Sequence, residues 1–174
     1  SITYYEKGLI GVSISVGILA GSWILLEAIY GDLGIKEPLN FKGIGTASFL
    51  GWATFYAAGG KKAGFRSGLA TNLTGVCWGI VMVLIWTLLG AYSNYLGALV
   101  GVGIGAAGMC FQAHVKRLGF IPGAFIGAST FFALGGTISM PVIMTAVFGL
   151  IIGLFLGWIS EVWGGKIAAQ LGGE

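Results

Sequence analysis

The chain has 174 residues, 56% of them hydrophobic and only 9% charged, with 33 glycines and a formal net charge of +3. A soluble domain carries roughly 25% charged residues, and a mean hydropathy of +0.93 belongs to a polytopic membrane protein. The composition excludes a separate soluble catalytic domain, so residues 1–174 read as one transmembrane domain.

The first apolar run, 9–30, is too long for a signal-peptide core and lacks a small-residue cleavage pattern, so no cleavable signal is expected. Glu27 lies near its far end, in GSWILLEAIYGD. Further runs follow at 43–59, 67–89, 91–113, 119–135 and 140–160, giving an all-α fold of six transmembrane helices. The second and fifth are short. About 16 residues reach about 24 Å, less than a hydrocarbon core of about 30 Å. Such segments tilt, re-enter, or are flanked by irregular backbone buried in protein. Pro122 and Pro141 sit near the starts of runs five and six, where a missing N–H does least harm.

With six spans, Lys7, Lys61, Lys62, Arg66, Lys116, Arg117 and Lys166 share one side, against Lys36 and Lys42 on the other. The positive-inside rule then puts both termini in the cytoplasm. The KKAGFR cluster reads as a topology signal rather than a nucleic-acid surface, because apolar runs flank it on both sides.

Phe49–Gly60 reads FLGWATFYAAGG, and 76 positions later Phe125–Gly136 reads FIGASTFFALGG, identical at seven of twelve positions. After a two-residue gap Gly75 aligns with Gly149 and Gly79 with Gly153. We read this as an internal repeat, with copies at about 9–89 and 91–160. Three spans per copy force opposite orientations, the 3+3 inverted topology in which a solute pathway runs near the midplane at the repeat interface. Pairs spaced as GxxxG, such as Gly17–Gly21, Gly101–Gly105 and Gly153–Gly157, predict close helix packing.

At 100° per residue, Ala47, Gly51, Thr54 and Ala58 form one stripe, and Gly123, Gly127, Thr130 and Leu134 form its counterpart. Phe49, Ala53 and Tyr56 fall on the opposite face. In one reading Phe55 and Phe131 pair as an apolar constriction, Thr54 and Thr130 supply hydroxyls to a small solute, and Gly51 and Gly127 let the walls approach. In the other, the stripe is plain helix packing and the threonines bond to their own i−4 carbonyls. Both stand at this point.

The remaining polar residues extend the first reading. Glu27 shapes the outer mouth or takes a coupling proton, or simply reaches the interface. Asn72 and Gln112 are neutral residues that bond across helices. His114, heading HVKR, is interfacial or senses pH. Cys77 and Cys110, inside apolar runs, read as small packing residues rather than a disulfide or metal site. HExxH, CxxC, GxxxxGK[ST] and GxSxG are all absent from the sequence, so no catalytic residue, metal or cofactor is assigned and the chain is not read as an enzyme.

The stretches FLGWATFYAAGG and MCFQAHVKRLGFIPGAFIGASTFFA resemble the YcdZ-like group of small bacterial inner-membrane proteins, a domain of unknown function. The resemblance covers most of residues 9–160 and is most specific over Cys110–Phe132. It implies a bacterial inner-membrane location and supplies no catalytic assignment. A weaker likeness in size, glycine and aromatic content runs to the acid-gated urea channels and the acetate/succinate transporters, which implies a homo-oligomer, trimer or hexamer, with a pore in each protomer. The N-P-A-P-x-G-L signature of the acetate family is missing, so its substrate is not carried over.

The expected function is a channel or facilitator for a small neutral or weakly ionisable solute. Its pathway would lie at the repeat interface. Two alternatives remain: a proton-coupled carrier of small carboxylates, and a non-transporting structural or accessory membrane protein. The partners expected are the lipid bilayer, the solute and copies of the same chain, with no nucleic acid.

Overall fold

The computed structural model describes residues 4–32 and 42–172; Lys36 and the rest of the segment before Lys42 lie outside the described residues. The described residues form α1 (Tyr4–Asp32), α2 (Ile44–Ala57), α3 (Lys61–Gly90), α4 (Asn94–Phe111), α5 (Ile121–Ala133) and α6 (Met140–Gly172). Two 3-10 turns, Gln112–His114 and Lys116–Leu118, join α4 to α5.

The six expected helices form, and they fall into four long and two short. Among the described residues α1, α3, α4 and α6 are long and apolar enough to cross a membrane. Helices α2 and α5 have 14 and 13 residues, about 20 Å each. Paired glycines stop them. Gly59 and Gly60 have φ of 97° and 65°, and Gly135 and Gly136 have 109° and 63°, a left-handed region that costs glycine little. Their N–H groups bond back onto the helix just ended: Gly59 to the Tyr56 carbonyl, Gly60 to Phe55, Gly135 to Phe132 and Gly136 to Phe131, all at 2.9–3.0 Å.

Two helix ends differ from expectation in the other direction. KKAGFR is not a loop but the first turns of α3, and α6 runs on past 160 to Gly172. Charges mark where a helix leaves lipid, not where it ends, because long cationic side chains reach water from a helical backbone.

Close contacts fix the directions of the helices. Ala47, Ser48, Gly51 and Phe55 of α2 lie against Gly149, Gly153, Leu150 and Gly157 of α6, so those two helices run parallel. Thr71, Asn72, Gly75 and Gly79 of α3 lie against Gly123, Gly127, Ala124 and Phe131 of α5, again parallel. Helix α1 packs antiparallel on α6, with Gly11 against Gly164 and the Ser15 hydroxyl donating to the Ser160 carbonyl. Helix α4 packs antiparallel on α3, with Gly97 against Trp86 and Gly101 against Met82. Gly68 of α3 meets Leu154 of α6, while further along α3 Val76 clusters with the earlier Ala146 and Leu150, so α3 and α6 are antiparallel. The two short helices therefore oppose one another, and the start of α2 at Gly43 touches Leu134 at the end of α5.

The core sits where the short helices meet α3 and α6: Val76, Phe131, Ala146 and Leu150 form one buried cluster, and Met82, Met109, Ala124 and Ala128 another. Alternation of the helices gathers Lys7, Lys61, Lys62, Arg66, Lys116, Arg117 and Lys166 at one end, hereafter the basic end, with Lys42 at the other. Cys77 and Cys110 are exposed and free, not packed inside. A thiol is apolar enough to face lipid as readily as protein.

Candidate functional site between the two short helices

Gly51, Thr54, Phe55, Gly127, Thr130 and Phe131 are all buried, and both threonines and both phenylalanines have no exposed surface. Phe49, Tyr56, Phe125 and Phe132 lie on the outer faces, 37–45% exposed. The close approaches are made backbone to backbone. A Cβ at Gly51 would collide with the Leu150 carbonyl, and one at Gly127 with the Asn72 carbonyl.

The structure does not pair the two phenylalanines. Phe55 stacks edge-on with Tyr56, and Phe131 with Phe132. Phe55 lies over Gly157 of α6, whereas Phe131 belongs to the cluster around Ala146 and Leu150. Leu150 to Gly157 spans about 10 Å of helix. Each ring fills its own level, Phe55 nearer the basic end and Phe131 nearer the Lys42 end.

The hydroxyls split their bonding. Thr130 donates to the Ile126 carbonyl at 2.8 Å. The Thr54 Oγ1 lies 2.9 Å from the Leu50 carbonyl and 3.1 Å from Asn72 Oδ1. Asn72 reaches this point from α3, is fully buried, and its Nδ2 has no hydrogen-bond partner. Burial of an unpaired amide N–H is costly, which makes Asn72 the chemically unusual residue of the seam.

The other sequence candidates lie elsewhere. Gln112 ties α4 to α3, accepting from Trp78 Nε1 at 2.8 Å and donating to Thr74 Oγ1 at 3.0 Å. His114 is exposed beside Phe111, its Nδ1 2.8 Å from that residue's carbonyl oxygen. Glu27, half-buried on α1, lays its carboxylate against Gly45 in the first turn of α2. The cap residue Gly43 offers no side-chain bond there, and a carboxylate complements the helix dipole.

Two features had no sequence signal strong enough to find them. At the Lys42 end a pocket of about 360 Å³ opens between the start of α2, the end of α5 and the start of α6, lined by Lys42, Leu134, Pro141, Val142 and Thr145 among others. Toward the basic end, Ser160 is a buried hub. Its Oγ accepts from Trp52 Nε1 at 3.1 Å, lies 2.6 Å from the Tyr56 hydroxyl, and donates to the Gly157 carbonyl at 2.7 Å. Serines carry no charge or periodicity to flag such a hub. Among the described residues no cluster of three His, Cys, Asp or Glu could hold a metal ion, and the seam offers hydrogen bonds and apolar walls rather than an acid, base or nucleophile.

A family model described as "Protein of unknown function (DUF1097)" matches residues 13–165. The uncharacterized protein YahC of Escherichia coli K12 is 31% identical over 165 residues, covering 93% of this chain and 94% of that protein. The inner membrane protein YcdZ of the same organism is 35% identical over 147 residues, 83% of this chain and 81% of that protein. Its Salmonella typhimurium counterpart is 33% identical over 147 residues, 83% and 82% of the two chains. No solved structure matches the chain.

Proposed function

The chain belongs to the DUF1097 family of unknown function, and from that premise we propose that it is an inner-membrane facilitator for a small neutral or weakly ionisable solute. The observation that carries this reading is the pair α2 and α5: two short, antiparallel, glycine-stopped helices, each packed along a long one, α2 on α6 and α5 on α3. Short apolar segments in corresponding positions of two halves are the usual pointer to a transport site. The inner-membrane location is supported by the names of the YcdZ relatives and by the four long apolar helices.

The inverted duplication is part of the proposal, and contact equivalences support it. Gly51 on Leu150 answers Gly127 on Asn72; Gly153 on Ser48 answers Gly75 on Ala124; Gly157 on Phe55 answers Gly79 on Phe131. These pairs set α6 against α3 at an offset of 78 positions. That is one helical turn from the register that matches Gly75 with Gly149, because the link from α5 to α6 is longer than the link from α2 to α3.

The route runs from the Lys42-end pocket past Phe131 to Thr54 and Asn72, then past Phe55 to the basic end. In this reading the fully buried rings of Phe55 and Phe131 close the route. The basic end faces the cytoplasm, which puts both termini there. Copies of the chain would pack on α1, where Gly17 and Gly21 have no neighbour within 4 Å. Stopped-flow light scattering on proteoliposomes with urea, formamide, acetate and glycerol tests the proposal. Reswelling faster than empty liposomes for at least one solute is expected, and indistinguishable traces for all four would refute it.

One observation favours a second reading, a non-transporting structural protein. Thr54, Thr130, Ser48 and Thr71 all lie within 2.7–2.9 Å of carbonyls of their own helices, as packing alone would have them. The same assay separates the two.

A further inference from the structure

Asn72 has an internal comparison. In the contact register above, its counterpart is Leu150. Each lies on a long helix with its backbone carbonyl behind a glycine of a short one, Gly127 for Asn72 and Gly51 for Leu150, and each is fully buried. The leucine packs against Val76, Phe131 and Ala146. An apolar side chain therefore satisfies this position, and packing by itself does not call for an amide.

What the amide adds is an unused donor. The single proton of the Thr54 hydroxyl has two acceptors within reach, the Leu50 carbonyl and Asn72 Oδ1, so Asn72 gains at most a shared bond. Its Nδ2 has no partner at all. Buried polar groups are ordinarily paired, and those kept unpaired within a membrane helix point to a passing or bound partner. The residue stands on α3 between Thr54 of α2 and Gly127 of α5, on the seam itself.

We propose that Asn72 is the solute-binding donor of the seam, giving its Nδ2–H to the carbonyl or hydroxyl oxygen of a small neutral molecule of the amide class. This rests on the facilitator reading. The charge of the solute follows from the surroundings: α3 carries no charged residue from Ser67 to Gly90, and an anion buried without a compensating charge is disfavoured. Formamide and urea fit; acetate ion does not.

The test uses the full chain in lipid nanodiscs with 15N-labelled asparagine. The Asn72 side-chain NH2 resonance, identified by its loss in Asn72→Leu, is followed during titration with formamide, urea and acetate. A saturable shift with formamide or urea and none with acetate is expected. Asn72→Leu should melt at or above the wild-type temperature and lose at least tenfold in formamide flux. An unmoved resonance, or an Asn72→Leu protein that melts lower with unchanged flux, overturns the assignment and makes Asn72 a packing residue. A saturable shift without flux for any solute supports the binding site and refutes the facilitator reading, so the two failures are distinguishable.

Discussion

Gly51 lies against the carbonyl oxygen of Leu150 with no room for a methyl group between them. The obstacle is main chain, so neither side can rotate away. Gly51→Val should separate α2 from α6 and cost about 1–3 kcal/mol or more through overpacking. Gly103→Val, on an open face of α4, should cost nothing measurable. Thermal melts of the two variants in detergent, followed by circular dichroism, check the contrast. Equal melting temperatures would mean that α2 is not clamped as described.

Ser160 ties α6 to α2 through its hydroxyl and to α1 through its backbone carbonyl. Ser160→Ala strands the buried Trp52 Nε1, and an orphaned donor of this kind costs about 1–3 kcal/mol. Trp52→Phe removes that donor together with its bond. A double-mutant cycle of Ser160→Ala and Trp52→Phe should give a coupling of about 0.5–2 kcal/mol. Additive effects would remove the hub.

If the chain is the facilitator proposed, the separation of Phe55 from Phe131 gives its route two plugs in series. Phe→Ala in a core typically costs about 3–5 kcal/mol, so leucine is the practical replacement. Phe55→Leu and Phe131→Leu should each raise formamide flux only slightly, because the other ring still blocks. The double variant should exceed the product of the two single effects. A full effect from either single variant would mean one shared constriction.

The sidedness of the charges is testable on intact cells. In a Cys77→Ser, Cys110→Ser background, a membrane-impermeant maleimide should label Lys42→Cys from outside and leave Lys62→Cys unlabelled until the membrane is opened. The reverse pattern would invert the orientation proposed.

The helices were legible because each is an apolar run closed by glycine, proline or charge, and the buried stripe of Gly51, Thr54, Gly127 and Thr130 followed from a period of 3.6 residues. Helix ends were less so, since Lys61–Arg66 and Glu161–Lys166 continue helices into charged sequence. Glu161 even accepts the Lys61 N–H at 2.9 Å, a tie between distant residues that no local pattern announces. Pairing Phe55 with Phe131 failed for a geometric reason. Residues equally far from the ends of two opposed helices sit at opposite heights, so alike positions need not be neighbours. The Ser160 hub depends on the register of α2 on α6, which is a property of packing rather than of composition.

If the chain passes a solute as proposed, the brevity of α2 and α5 also sets how far that solute travels at the centre of the molecule. Each reaches about 20 Å where the surrounding hydrocarbon is about 30 Å deep, and the hollow by Lys42 and Pro141 occupies part of the difference. A concentration gradient or membrane voltage would therefore fall over a distance shorter than the bilayer itself, steepening the local field on whatever occupies the midpoint.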